Sequence, residues 1–229
     1  MPLIELDDLT RIYPLGRREV IALEGLTLTI DAGEFTVLAG PSGSGKTTAL
    51  NLIGALDAPT RGSVTIGGRT LRGESPKALA EFRLHQIGFI FQSYNLIPVL
   101  TAAENAEFTL MLQGVAKQER RRRVSALFAE LGIDGLEERR PGDLSGGQQQ
   151  RVAVARAIIS KPAVILADEP TANLDSHTSE ELLRLMRSLN TEHGTTFIFS
   201  SHDPQVIALA RRVVRLRDGH LESDSKGSG

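Results

Sequence analysis

Gly40-Pro41-Ser42-Gly43-Ser44-Gly45-Lys46-Thr47-Thr48 combines glycines, hydroxyls and one lysine at a spacing suited to binding phosphate. It follows Phe35-Thr36-Val37-Leu38-Ala39, a buried-strand pattern, and runs into a helical pattern from Lys46. The G-x-x-x-x-G-K-[ST] motif therefore has the strand, loop and helix around it that give it meaning. Glycines let the backbone curl so that N–H groups converge on phosphate oxygens, and the helix start adds the positive end of its dipole. Lys46 then suits the β- and γ-phosphates of a nucleoside triphosphate such as ATP, and the Thr47 hydroxyl suits Mg²⁺. The competing explanation is a chance glycine-serine turn before a helix, and the correct elements on both sides weigh against it.

A second apolar run, Ala163-Val164-Ile165-Leu166-Ala167, delivers Asp168 and Glu169 at its C-terminal end. Ligands of open parallel sheets bind at that edge. Asp168 suits Mg²⁺ through water, and Glu169 suits a general base acting on an attacking water. Two carboxylates at a strand end are commonly no more than solvated. A phosphate loop in the same chain changes that reading.

Leu144-Ser145-Gly146-Gly147-Gln148-Gln149-Gln150-Arg151 opens another helical pattern, and a serine hydroxyl with glycine amides at a helix start makes a second anion site. This tract resembles the signature of the ABC ATPases, and the family's other landmarks follow in order over about 4–222. The resemblance implies a RecA-like P-loop NTPase core. It implies that Ser145, Gly146, Gly147 and Gln148 serve the γ-phosphate of ATP held by a second copy, so that two chains clamp two ATP molecules head to tail. Gln92 resembles the glutamine that contacts Mg²⁺ and the lytic water, joining Thr47 and Asp168 as the metal set. Ala172-Asn173-Leu174-Asp175 resembles the D-loop, which places Asp175 beside nucleotide. His202 resembles the switch histidine that contacts the γ-phosphate, and Tyr13 the aromatic that stacks on adenine. Two departures stand out. Ala49 occupies a position where leucine is expected, and Ala172-Asn173 replaces the commoner serine-alanine. Glu169 is intact, so hydrolysis is expected.

Positioning these residues requires an α/β framework. Strand patterns fall at 26–30, 35–39, 63–66, 87–91, 163–167, 196–200 and 213–216, and helical patterns at 46–54, 102–113, 117–131, 146–160 and 177–190. Alternation of the two predicts a mostly parallel sheet covered by helices, while early strands close together around Gly33, Gly62 and Gly67-Gly68 predict an antiparallel N-terminal patch. No strand pattern occurs in 93–161. The expected organisation is a single domain over 1–222, with 1–92 and 162–222 as the nucleotide-binding core and 93–161 as an inserted helical subdomain. The polar residues 223–229 read as a flexible tail outside the fold.

The 229 residues are 41% hydrophobic and 24% charged, ordinary values for a packed domain. A net charge of −2 gives no basic field for nucleic acid, and the absence of cysteine excludes disulfides and thiol chemistry. Neither the acidic start nor any apolar run matches a signal peptide or a membrane span. Service to a membrane then requires a partner. The stretch 91–105 and the triple glutamine at 148–150 resemble lipoprotein-release and macrolide-efflux ATPases. That implies a chain on the cytoplasmic face of the inner membrane, driving an integral permease with a large periplasmic domain. Leu96, Ile97, Val99 and Leu100 are expected to line the groove that receives the permease. A cell-division regulatory module and a polar amino-acid importer remain open. DNA-repair ABC ATPases need coiled-coil or zinc insertions that this chain lacks. The arginines at 120–123 read as a solvated helix face rather than a lipid contact.

Overall fold

The computed structural model describes residues 1–16 and 18–226. Two sheets share the chain. The first is antiparallel, in the order β2, β1, β4, β5, and is built from β1 (Ile4–Leu15), β2 (Arg18–Ile30), β4 (Arg61–Ile66) and β5 (Arg69–Thr70). The second has six strands in the order β10, β9, β3, β8, β7, β6. In it β3 (Phe35–Ala39), β6 (Ile87–Ile90), β7 (Val164–Asp168), β8 (Thr196–Ser201) and β9 (Arg212–Arg217) run parallel, and β10 (His220–Lys226) closes the edge antiparallel. The α/β class, the parallel sheet and the antiparallel N-terminal patch match the expectation from sequence.

Period-2 alternation explains why the central strands read as unbroken apolar runs. On β3, Phe35, Val37 and Ala39 point into one core, and Leu38 into the other. On β8, Phe197 and Phe199 oppose Ile198 in the same way. The first core is covered by α3 (Ala102–Leu112), α4 (Lys117–Glu130), α5 (Gly146–Ile158) and α6 (Ser176–His193). The second lies between the parallel sheet, the P-loop helix α1 (Lys46–Ile53) and the antiparallel sheet. Residues 93–161 hold no strand, yet their buried side chains Leu110, Phe128 and Val154 join the cluster that contains Phe35 and Phe199. The helices are thus packed into one core with the sheet.

Several elements were not visible in the sequence. Strand β1 was obscured because its alternation breaks at Asp7-Asp8, where the ladder shifts register and Asp8 adopts a φ of 46°. Helix α2 (Pro76–Gln86) buries only Phe82, so no apolar stripe marks it. Its start was nonetheless written in Ser75-Pro76: the serine accepts from the Ala78 amide and proline occupies the first turn. A last short helix, α7 (Pro204–Leu209), follows β8.

The flexible-tail expectation fails for Ser223–Lys226, where 223–226 form the body of β10 and pair with β9 from Arg215 to Arg212. Arg212 holds this edge: its guanidinium bonds Asp224 at 2.7 and 2.8 Å, Glu34 at 2.9 Å and the Thr29 carbonyl at 2.6 Å. These partners raise its pKa further above the ordinary arginine value, the Asp224 bonds contributing most. The remainder of that tail, 227–229, lies outside the described residues. On α4, Arg122 and Arg123 both bond Glu119, lowering its pKa to about 2, and Arg120 pairs with Glu107. Arg122 is solvated, whereas Arg120 is half-buried and bonds Glu107 of α3 and the Val115 carbonyl, so the run is not a solvated face throughout.

Candidate functional site

The phosphate loop leaves β3 at Gly40 and enters α1 at Lys46. Gly40 has a φ of 155°, and a Cβ there would lie 2.2 Å from the Leu216 carbonyl and 2.6 Å from Ser44 Oγ. No other residue fits that approach. Gly45 caps α1 with a φ of 99°. Lys46, 6% exposed, donates to the carbonyls of Gly40 at 2.8 Å and Pro41 at 3.0 Å. Pro41, Ser42 and Gly43 form the exposed crest. Behind the loop stands the β9–β10 turn, whose Gly219 amide donates to the Ser44 carbonyl at 3.2 Å.

The carboxylates at the end of β7 meet this loop. Thr47 Oγ1 donates to Asp168 Oδ1 at 3.1 Å, and Ser200 Oγ to the same oxygen at 2.5 Å. Glu169 has a φ of 43°, a left-handed backbone that a non-glycine residue holds only when its surroundings impose it. Its amide donates to the Ser200 carbonyl at 2.9 Å, while Ser201 Oγ donates to one carboxylate oxygen at 3.2 Å and His202 Nδ1 lies 2.7 Å from the other. Thr47, Asp168, Glu169 and His202 therefore form one connected group within reach of the loop. Ser200 and Ser201, which hold the two carboxylates, were missed in the sequence. Their role appears only once β7 is paired beside β8.

The oxygen donors here fit Mg²⁺, which takes few protein ligands and completes its shell with water and phosphate. Thr47 and Asp168 already share a contact, and no cluster of three His, Cys, Asp or Glu exists among the described residues to favour a protein-caged metal. The loop 40–48, with Lys46 beside its carbonyls and the start of α1 behind it, fits a triphosphate.

Other expected residues lie apart from this group. Ser145 is the exposed N-cap of α5 in a capping box: its Oγ accepts from the Gln148 amide at 3.3 Å, and Gln148 Oε1 accepts from the Ser145 amide at 2.9 Å. The first amides of that helix, at Gly146 and Gly147, have no intrahelical acceptor. Among the described residues no hydrogen bond or ion pair joins 145–148 to 40–48. Buried Gln150 donates to the Pro170 carbonyl at 2.8 Å, which ties α5 to the chain just after Glu169. Asp175 caps α6, its carboxylate accepting from the Thr178 amide at 3.0 Å and hydroxyl at 2.7 Å. Both bonds lower its pKa. Gln92 is exposed in the turn after β6. Tyr13 donates to Asp57 at 2.7 Å, and the Arg11 guanidinium lies 4.5 Å from the centre of its ring. At most one face of that ring is left for a base.

The ABC transporter family matches residues 23–172. A Hyphomonas neptunium protein named macrolide export ATP-binding/permease protein MacB is 50% identical over 224 residues, which is 98% of this chain and 35% of that protein. The chain spans about a third of the length of the MacB proteins it matches. An uncharacterised ABC transporter ATP-binding protein of Thermotoga maritima is 46% identical over 96% of this chain and 93% of its own. The solved cassette MJ0796, described as a dimer, and as a dimer in a post-hydrolysis state bound to ADP and Pi, has a TM-score of 0.92 and 41% identity over 99% of both chains. By the family match over most of its length and these relatives, the chain belongs to the ABC transporter family as an ATP-binding cassette.

Proposed function

We propose that two copies of this chain close around two ATP molecules and drive an export-type membrane permease, moving macrolide-like compounds, peptides or lipoproteins. The observation that carries the reading is the separation of two half-sites. The loop 40–48 and Glu169 belong to one group, while Ser145 is exposed at the start of α5 and shares no hydrogen bond with that loop among the described residues. A second copy related by a twofold axis brings the missing half to each.

In this reading the triphosphate lies on the amides of the loop, and Lys46 leaves the Gly40 and Pro41 carbonyls for its β- and γ-oxygens. Thr47 and Asp168, with Gln92, hold Mg²⁺, which when bound neutralises charge on the phosphate oxygens. Glu169 accepts a proton from water as the water oxygen attacks the γ-phosphorus, and the bond to ADP breaks in line. Ser201 and His202 fix the carboxylate for that transfer, and His202 reaches the γ-phosphate. Ser145 of the partner subunit donates its hydroxyl to the same phosphate. Tyr13 offers its uncovered ring face to adenine.

The test uses Glu169→Gln to arrest the cycle. Size-exclusion chromatography with Mg-ATP should show a species of twice the monomer mass. Adding Ser145→Arg should return it to monomer while equilibrium ATP binding persists. A doubly substituted chain that still dimerises would sink the reading.

The permease partner follows from the same reading, and no helix among the described residues is long and apolar enough to cross a membrane. Leu96 packs against the core, and buried Asn105 clamps the backbone of Ile97, Leu100 and Thr101, so these residues are not all free to line a groove. Val99 is 74% exposed, and Leu100 and Met111 border a cavity of about 760 Å³ between α3 and α4. Val99→Asp with Met111→Asp should abolish co-purification with the permease and leave the soluble ATPase rate within about twofold of wild type. Retained co-purification overturns this placement. The chain then works at the cytoplasmic face of the inner membrane, beneath a permease with a large periplasmic domain.

A further inference from the structure

The turn that carries Gln92 is held in an unusual shape by side chains from two distant segments. Tyr94 and Asn95 have φ values of 59° and 50°, two consecutive left-handed residues without glycine. Such a pair persists only when its surroundings over-determine it. Arg156, on α5, donates to the Asn95 carbonyl at 2.5 Å and the Tyr94 carbonyl at 2.8 Å. Asn173 Nδ2 donates to the Gln92 carbonyl at 2.9 Å, and Tyr94 Oη donates to the Asn173 carbonyl at 3.5 Å. The Tyr94 hydroxyl also stands over the signature helix. A Cβ on Gly146 would lie 2.9 Å from it and 3.8 Å from the Asn173 carbonyl, and a Cβ on Gly147 would lie 2.5 Å from Thr178. The two glycines are thus small enough for the Gln92 turn and the start of α6 to nest against the end that bears Ser145.

We propose that Asn173 is a positioning residue that ties Gln92 to the D-loop segment and, through Tyr94, to the signature end of α5, so that the three move as one body. Alanine in its place has no donor to reach Gln92. The consequence for ATP turnover rests on the reading given above. The linkage itself does not. Asn173 is exposed, so its replacement leaves the fold standing.

The test compares wild type, Asn173→Ala, Gln92→Ala and the double variant. Without nucleotide, hydrogen exchange of the backbone amides 93–96 should speed up about fivefold in Asn173→Ala, the scale of one net hydrogen bond. With Mg-ATP, kcat should fall about fivefold with KM within twofold, again the scale of one bond. The double variant should be no slower than Gln92→Ala, because both changes act through the same side chain. Unchanged exchange in Asn173→Ala overturns the linkage, and rate losses that multiply in the double variant overturn its action through Gln92. A wild-type chain that fails to turn over ATP removes the functional reading, while the exchange measurement still decides whether the linkage exists.

Discussion

Glu169→Gln should lower steady-state phosphate release from ATP by about a hundredfold to ten-thousandfold, the range expected when a general base is lost. Glutamine keeps the length and planarity of the side chain, so the left-handed backbone at 169 and the amide bond to Ser200 are unaffected. Its carbonyl can still accept from Ser201 or His202. What it cannot do is take up the proton of an attacking water. The loop 40–48 and Lys46 are unchanged, so ATP affinity should stay within about threefold in nucleotide-binding titrations, because the loss falls on the transition state alone. A variant that releases phosphate at the wild-type rate removes Glu169 as the base. A variant that loses ATP affinity as steeply as turnover shows that the carboxylate acts in binding instead. Single-turnover measurement separates the two, since binding is complete before chemistry begins.

Phe199→Ala should cost about 3–5 kcal/mol of stability, the usual range for deleting a buried aromatic ring. Phe199 is fully buried on β8, its ring centre 4.5 Å from that of Phe35 and 5.6 Å from that of Phe197, with which it stacks. The cavity left behind cannot collapse easily, because the parallel sheet fixes the strands on either side. For a chain of this length the melting temperature should drop by about 10 °C. A drop of less than about 2 °C in thermal unfolding means that neighbouring helices refill the space. The loss should also reach the site, since Ser200 and Ser201 follow Phe199 directly and hold Asp168 and Glu169.

The phosphate loop, the carboxylate pair and the order of landmarks were legible in the sequence because phosphate chemistry dictates residue types at fixed spacing. The parallel strands were legible for a related reason: burial on both faces makes them apolar throughout. What could not be read was whatever depends on long-range packing. Ser200 and Ser201 look like any solvated hydroxyls at a strand end until β7 is paired beside them. The left-handed turn at Tyr94-Asn95 depends on Arg156, about sixty residues later. The polar stretch 223–226 carries no strand signal of its own and is held by Arg212 through Asp224. Asn173 was visible as a departure from the commoner alanine, yet nothing in the sequence showed that it faces Gln92.

The position of β3 in its sheet bears on how the protein is made. This strand ends at residue 39, yet both its neighbours, β8 and β9, come from the last part of the chain, between residues 196 and 217. The turn that backs the loop, at Gly219, comes later still. During synthesis the phosphate loop leaves the ribosome early, and its strand can pair only once residues 196–217 have followed. Such distant pairing is slow to form and leaves apolar strands uncovered in the meantime. The antiparallel sheet draws its strands from residues 4–70 and can assemble first. ATP affinity should therefore arise only after the β9–β10 hairpin has left the ribosome, well after the loop itself.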